Sequence, residues 1–344
     1  MPSSPRILVV RRRYLGDIVL LGSLFRNLRL QWPESRLAAL VEAPYAPVLS
    51  LNPDVDAIMP APAGATAWPR FLSGLRRHAF SHVLDLDNTE KTALVSRLSG
   101  ARTRVALHHG NHPVRLRALY SHVVYDPGDE HEAHPISDYY LKSLQAIDVP
   151  VTTREIRLVP REEEVADWRR FVGAQGRTLL VHPGSRSRWR LWPAERFAAV
   201  CDHVQDALGV QVVLTGGPAE RALVEEIRSL AKTHLLVLEQ APSLSGFAAL
   251  AKASSVLLCH DSGPMHLAAA VGTPVVALYG SQNPALFRPV GEGHELLIPP
   301  LPCTECVAPD LCRPDDSYHN YCVRRLTTGQ VCAAVERALA RRRP

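Results

Sequence analysis

Short, unbroken apolar runs, each closed by a turn and followed by a helical pattern, recur along the whole chain. Arg6–Val10 leads into Asp17–Leu30, where Ile18, Leu21, Leu24, Phe25 and Leu28 fall at helical spacing. Arg36–Val41, His82–Leu86 and Arg104–Ala106 read as strands, and Asn88–Ser99 and His134–Ile147 as helices, the first with Asn88 as its cap. After a charged helical connection, Arg161–Arg170, the pattern starts again. Strands Thr178–His182, Gln211–Leu214, His234–Leu238, Val256–Cys259 and Pro274–Tyr279 alternate with helices Ala194–Leu208, Pro218–Ala231, Leu244–Ala253 and Leu267–Val271. Strands that are apolar throughout, rather than alternately, are buried on both faces, as in parallel sheets covered by helices. The expectation is an α/β chain with two doubly wound parallel-sheet domains facing a cleft. Ligands then bind beyond the carboxyl ends of the strands. A last helix, Thr327–Arg342, opens with Thr327 and Gln330 at capping-box spacing. The stretch Pro60–Ala67 (Pro, Ala, Gly and Thr) reads as a loop.

With 344 residues, two domains are the expected division: 1–160, 161–326, and a C-terminal helix in 327–344 that packs back toward the first domain. A hydrophobic share of 46% with 21% charged residues is that of a soluble globular protein. No run of about 18 apolar residues is present, so no transmembrane helix is expected. The start, Met1–Pro5, enters a strand without a signal-peptide pattern, which points to the cytoplasm. The net charge of +5 suits anionic ligands without demanding nucleic acid. Aromatic residues, at 6%, are not interleaved with the basic ones, so a single-strand platform is disfavoured. Seven cysteines, an odd number, fit reduced thiols better than a disulfide framework.

The most specific motif is Asp261-Ser262-Gly263-Pro264-Met265-His266, between an apolar strand and a small-residue helix. Proline suits the first helical position, where its missing N–H costs nothing. The N–H groups of Met265 and His266 are then expected to point out of the helix, and with the helix dipole they seat a phosphate. His266 adds a proton donor, Ser262 a hydroxyl, and Asp261 an acceptor for a sugar hydroxyl. Tyr14-Leu15-Gly16-Asp17 lies at the first strand-to-helix turn, where Gly16 permits a tight turn and Asp17 reads either as a helix cap or as a general base. His182-Pro183-Gly184-Ser185 through Arg190-Leu191-Trp192-Pro193 is a basic loop in which Ser185 and Arg190 suit phosphate. Thr215-Gly216-Gly217-Pro218 lets a ligand approach the backbone at Gly216 and Gly217, with Glu220 in the following turn. Neither turn is GxGxxG, since Arg11–Arg13 fill the positions of a dinucleotide fingerprint, so a nicotinamide dehydrogenase is disfavoured. Arg102, Arg104, Arg115 and Arg117, with His108, His109 and His112, form a basic group suited to an anionic acceptor. Arg341–Arg343 form a basic tail suited to anionic lipid. Cys303, Cys306, Cys312 and Cys322 fall within twenty residues, but only the first two have zinc-knuckle spacing; a structural metal and unliganded thiols both remain open.

Taken together and in this order, these motifs resemble glycosyltransferase family 9, the ADP-heptose:lipopolysaccharide heptosyltransferases, nearly end to end. The resemblance implies a GT-B fold, with the acceptor on the first domain and the nucleotide sugar on the second. It implies inverting transfer of a heptose from ADP-heptose to a lipid-linked saccharide of the lipopolysaccharide core. No cofactor or essential metal is implied. Contact of the basic tail with the inner face of the inner membrane is a further expectation. Asp17 matches the family's catalytic base, and Ser185, Arg190, Asp261, Ser262, Gly263 and His266 match donor-contacting positions. Arg190 stands where the family often has lysine. Other readings at this stage are a transferase of the same family using another nucleotide sugar, an epimerase of related fold, a non-catalytic nucleotide-sugar binder, and a metal-stabilised interaction protein.

Overall fold

The computed structural model describes residues 4–110, 114–127, 133–173, 177–187, 190–280, 282–299 and 322–341. The chain divides into two compact units, Met1–Val159 and Pro160–Pro344. The first holds strands β1 (Arg6–Val10), β2 (Arg36–Glu42), β3 (Ala57–Ala61), β4 (His82–Asp85), β5 (Thr103–His109) and β6 (His122–Asp126), in the order β3-β2-β1-β4-β5-β6. The second holds β7 (Thr178–His182), β8 (Gln211–Leu214), β9 (Leu236–Val237), β10 (Val256–His260), β11 (Val275–Leu278) and β12 (Glu295–Leu297), in the order β12-β11-β10-β7-β8-β9. Every strand pairing is parallel. Each sheet therefore reverses its strand order once, between β1 and β4 and between β7 and β10, which places a ligand crevice at those strand ends.

Burial explains the unbroken apolar runs. Ile7, Leu8, Val9 and Val10 are at most 1% exposed, because helices cover both faces of the sheet. In the second unit Phe197, Val200, Val204 and Trp192 pack into one cluster with Val331, Val335, Ala338 and Leu339 of the last helix, Thr328–Arg341. That helix was expected to reach toward the first domain. Its apolar face lies in the second unit's own core, because its repeat of Val331, Val335, Ala338 and Leu339 matches the surface offered by helix Ala194–Leu208 and by β10 to β12. Its start carries the expected box: Thr327 N–H donates to Gln330 Oε1 at 2.8 Å and Gln330 N–H to Thr327 Oγ1 at 3.3 Å.

Three other expectations change. Asp17–Leu30 is two helices, Leu15–Leu20 and Gly22–Gln31. Asn88 is not a cap: its φ of 47° is left-handed, and Thr89 is the residue whose hydroxyl accepts the Thr92 N–H, at 3.3 Å. Pro60 lies in a strand, opposite Val41 in β3, where an edge position tolerates the missing donor.

Gly22 explains how closely the connection before the second unit packs. A Cβ there would stand 2.6 Å from Ile156 Cγ2. Gly22→Ala is expected to destabilise the protein by about 1–3 kcal/mol in urea unfolding. In an Ile156→Ala background the same change should cost at least about 1 kcal/mol less, because the clash is gone; simple additivity would contradict the packing.

Candidate active site

In the first unit the site grows from the ends of β1 and β4. Val10 pairs with Asp85, and Leu86 N–H donates to Val10 O at 2.9 Å, so the two chains leave the sheet side by side. Asp85 is fully buried and turns the chain: its Oδ1 accepts from the N–H groups of Asp87 and Asn88, both at 3.0 Å, and its Oδ2 from Tyr120 O–H at 2.6 Å. Burial raises its pKa to about 6. The turn presents Asp87 to Arg12, whose Nε donates at 2.8 Å, and to Arg11 at 3.4 Å.

Arg11 in turn reaches Asp17, with Nη2 3.1 Å from Oδ1. Tyr140, from helix Ile136–Leu141, donates its O–H to the same oxygen, and the Arg11 guanidinium lies 5.6 Å from the Tyr140 ring centre. Burial, with the Asp17 charge next, pushes Tyr140 well above the usual phenol range, so it stays a donor. The other oxygen, Oδ2, accepts the Tyr14 N–H at 3.2 Å. The two readings of Asp17 thus coexist: one oxygen caps the helix while the other is clamped by Tyr140 and Arg11. A carboxylate oxygen has two acceptor sites, so Oδ1 is full and Oδ2 keeps one. Gly16 sits in the first turn of the same helix. Neither Tyr140, 123 residues away in sequence, nor the role of Arg11 was legible, because no local pattern links them to Asp17.

In the second unit polar groups gather at the ends of β7 and β10. His260 is fully buried; its Nε2 accepts the Trp192 N–H at 2.9 Å, which fixes the Nδ1–H tautomer, and burial lowers its pKa to about 3. Trp192 Nε1 donates to Leu326 O at 2.9 Å. This double tether positions Arg190, whose Nη1 lies 3.5 Å from Asp261 Oδ1 and 3.4 Å from Asp261 O. Asp261 is 4% exposed, and burial raises its pKa to about 7 against the lowering by Arg190. Neither of its carboxylate oxygens accepts a hydrogen bond among the described residues, and buried Ser185 Oγ also has no partner there. Such orphaned groups at a strand end fit a hydroxyl-rich ligand.

Ser262 precedes helix Gly263–Ala270, and its Oγ donates to His260 O at 3.2 Å. His266 is buried in the first turn. The expected role of Met265 changes: its N–H donates to Ser262 O at 3.0 Å and its side chain is fully buried, so the first turn tightens instead of leaving that donor open. Gly184, Gly216 and Gly217 all close on Glu220; a Cβ on them would meet its side chain at 2.2, 2.9 and 2.7 Å. Glu220 is thus the carboxylate around which this strand-to-helix turn packs. A cavity of about 980 Å³ opens beside Gly216 and Gly217, walled by Arg221, Val224, Leu236, Leu238 and Gln240.

The family model for glycosyltransferase family 9 (heptosyltransferase) matches residues 68–312. The chain belongs to glycosyltransferase family 9. Lipopolysaccharide heptosyltransferase 3 of Escherichia coli (strain K12) is 26% identical to it over 290 residues, spanning 80% of this chain and 83% of that protein. Lipopolysaccharide heptosyltransferase 2 of the same strain is 24% identical over 309 residues, spanning 83% and 85%. The crystal structure of a family 9 glycosyl transferase from Veillonella parvula DSM 2008 superposes with a TM-score of 0.82 at 24% identity, covering 99% of both chains. ADP-heptose lps heptosyltransferase II of E. coli does so at 0.79 and 23%, covering 98% and 99%. The fold is therefore GT-B, and this family 9 chain is a glycosyltransferase.

Other candidate residues of this glycosyltransferase have local partners of their own. Arg115 pairs with exposed Glu90 at 2.9 Å, and Arg117 donates to Tyr120 O at 3.2 Å. Arg104 holds the carbonyls of Leu119 and Ala101. Arg341 pairs with Glu295 at 2.7 Å, so part of the basic tail is already neutralised. Cys303, Cys306 and Cys312 lie outside the described residues, as does His112; Cys322 is partly exposed, and Cys201, Cys259 and Cys332 are buried. Among the described residues no cluster of His, Cys, Asp and Glu is arranged to hold a metal. None of the described helices is long and apolar enough to cross a membrane.

Asp261 makes stability depend on pH. Its folded pKa of about 7 lies above the unfolded value near 3.9, so the folded state keeps the proton longer. Its contribution is full below about pH 4 and is lost as pH rises through about 7. Asp261→Asn is expected to flatten this part of the curve and to gain on the native protein by up to about 4 kcal/mol toward pH 8. Parallel curves from pH 4 to 8 in urea unfolding would rule this out.

Proposed function

We propose that this family 9 enzyme moves a heptose from ADP-heptose to a hydroxyl of a lipid-linked saccharide of the lipopolysaccharide core, with inversion. The observation that carries the reading is the pair of orphaned groups, Asp261 and Ser185, beside Arg190 and the helix start at Gly263, in a chain of this family. The related proteins named above are lipopolysaccharide heptosyltransferases, which supports the donor and acceptor classes.

The chemistry follows from the groups. The diphosphate lies at the Gly263–His266 helix start, with His266, Ser262 and Arg190 as donors; Gly263 lets it approach the backbone. Asp261 and Ser185 take sugar hydroxyls, and Glu220 suits the ribose diol, next to the cavity at Gly216 and Gly217. Asp17 Oδ2 accepts the proton from the acceptor hydroxyl as its oxygen bonds to the anomeric carbon. The bond from that carbon to the diphosphate oxygen breaks, and ADP departs with the electron pair. Fixed positive groups stabilise the departing charge. Arg11 and Tyr140 hold Asp17 as the carboxylate oriented for this step. Arg115 and Arg117 remain proposed contacts for an anionic acceptor.

Asp17→Asn is expected to lower kcat by about 10²–10⁴-fold while ADP affinity stays within about twofold. A variant retaining most of its rate would show that Asp17 is a cap alone. For the donor, ADP-heptose should raise the melting temperature of the native enzyme more than UDP- or GDP-sugars at equal concentration. His266→Ala should weaken that binding by about tenfold. A larger shift with a UDP- or GDP-sugar would reassign the nucleotide within the same family.

A further inference from the structure

One surface of the first unit is both strongly basic and apolar. Helix Glu90–Leu98 turns an exposed arc of Glu90, Lys91, Leu94, Arg97 and Leu98 to solvent, all within about 120° of the helix circumference. Two neighbours extend this arc. On one side helix Trp68–Gly74 and the turn Leu75–His78 carry Arg70, Arg76 and Arg77. They are joined to the arc by Lys91 Nζ, 5.7 Å from the Trp68 ring centre, and by Arg76, whose Cγ packs on the Gly100 position. On the other side the segment at Leu116 is joined by the Arg115–Glu90 pair. Across these segments, 68–78, 90–98 and 115–119, seven lysines and arginines face one carboxylate, that of Glu90. Among the described residues Arg70, Arg76, Arg77 and Arg97 have no carboxylate partner.

The same surface exposes leucines. Leu94, Leu98 and Leu116 are 42%, 37% and 46% exposed, while the aromatic Trp68 beneath is only 8% exposed. A groove of about 600 Å³ lined by Met59, Arg70, Phe71, Arg77 and His78 opens between the same basic side chains. Leucines ringed by arginine and lysine are the pattern of a surface that lies in a bilayer interface, with apolar tips among the acyl chains and cations at the phosphates. A nucleic acid would use the cations but gain nothing from the leucines, and it would favour exposed aromatics.

The geometry points to this face, built on Glu90–Leu98 and Trp68–His78, as the docking surface for an anionic phospholipid bilayer. It belongs to the first unit, and its function is independent of the donor reading. Each basic side chain held near an anionic surface strengthens binding about fivefold, so losing two should weaken it about 25-fold. The face also brings the enzyme to the interface in which a lipid-linked acceptor is embedded.

The test is sedimentation of the full-length protein with vesicles of phosphatidylcholine containing about 30 mol% phosphatidylglycerol, against pure phosphatidylcholine, at about 0.05 and 0.5 M salt. The native protein should bind the anionic vesicles at low salt and lose them at high salt. Arg76→Gln with Arg77→Gln should weaken binding at least tenfold, and Leu94→Ser with Leu98→Ser should do so at least fivefold. All of these side chains are exposed, and unchanged ADP binding and circular dichroism would show that each variant is folded. The proposal fails if the native protein ignores anionic vesicles or binds neutral ones equally. It also fails if either variant binds as the native protein does. It fails too if the arginine variant loses a DNA duplex and vesicles alike while the leucine variant loses neither, since that result describes a polyanion site.

Discussion

Two parallel sheets, each buried on both faces, set the terms for everything else in this chain. A parallel strand cannot be followed by a hairpin; it must cross back through a helix, and every such crossing leaves from the same end of the sheet. The polar groups that chemistry needs therefore collect at the carboxyl ends of the strands. Where the order reverses, between β1 and β4 and between β7 and β10, no crossover covers the sheet edge. Asp17, Asp85 and Asp87 gather at the first reversal, and Ser185, Arg190, Asp261 and His266 at the second.

Burial then assigns each group its work. Asp85 and Asp261 are both carboxylates pushed upward by desolvation, yet their surroundings differ. Asp85 is saturated by two backbone N–H groups and the Tyr120 hydroxyl, and serves as a rivet for the turn that holds Arg11 and Arg12. Among the described residues the Asp261 carboxylate has only the long contact to Arg190 and is left with acceptor capacity. His260 and Trp192 are structural in the same sense: a neutral imidazole fixes a backbone N–H, and that fixes the arginine two residues earlier.

Much of this was legible in the residues. The βα alternation, the strand Val256–His260 and the helix box at Thr327 follow from apolar runs and capping chemistry, which act over a few residues. Strands β6 and β12 and the edge strand containing Pro60 were not legible, because these edge strands are short and derive their form from a neighbour. Asn88 failed as a cap for a similar reason. Its side chain suits both a cap and a left-handed turn, and only the Asp85 carboxylate beneath it decides which. Met265 was expected to offer an open N–H, but the first turn of its helix tightened onto Ser262.

By itself the sequence determined the class of fold, the order of its elements and the turns where polar residues would stand, since these depend on periodicity and local backbone preference. The tertiary structure alone decided which oxygen of Asp17 is held and which keeps an acceptor site, that Tyr140 and Arg11 do the holding, and that Glu220 closes on three glycines. It also decided that the last helix belongs to the second unit's core. These include contacts between residues more than 120 positions apart, and no local preference encodes the distances on which hydrogen bonds and burial depend.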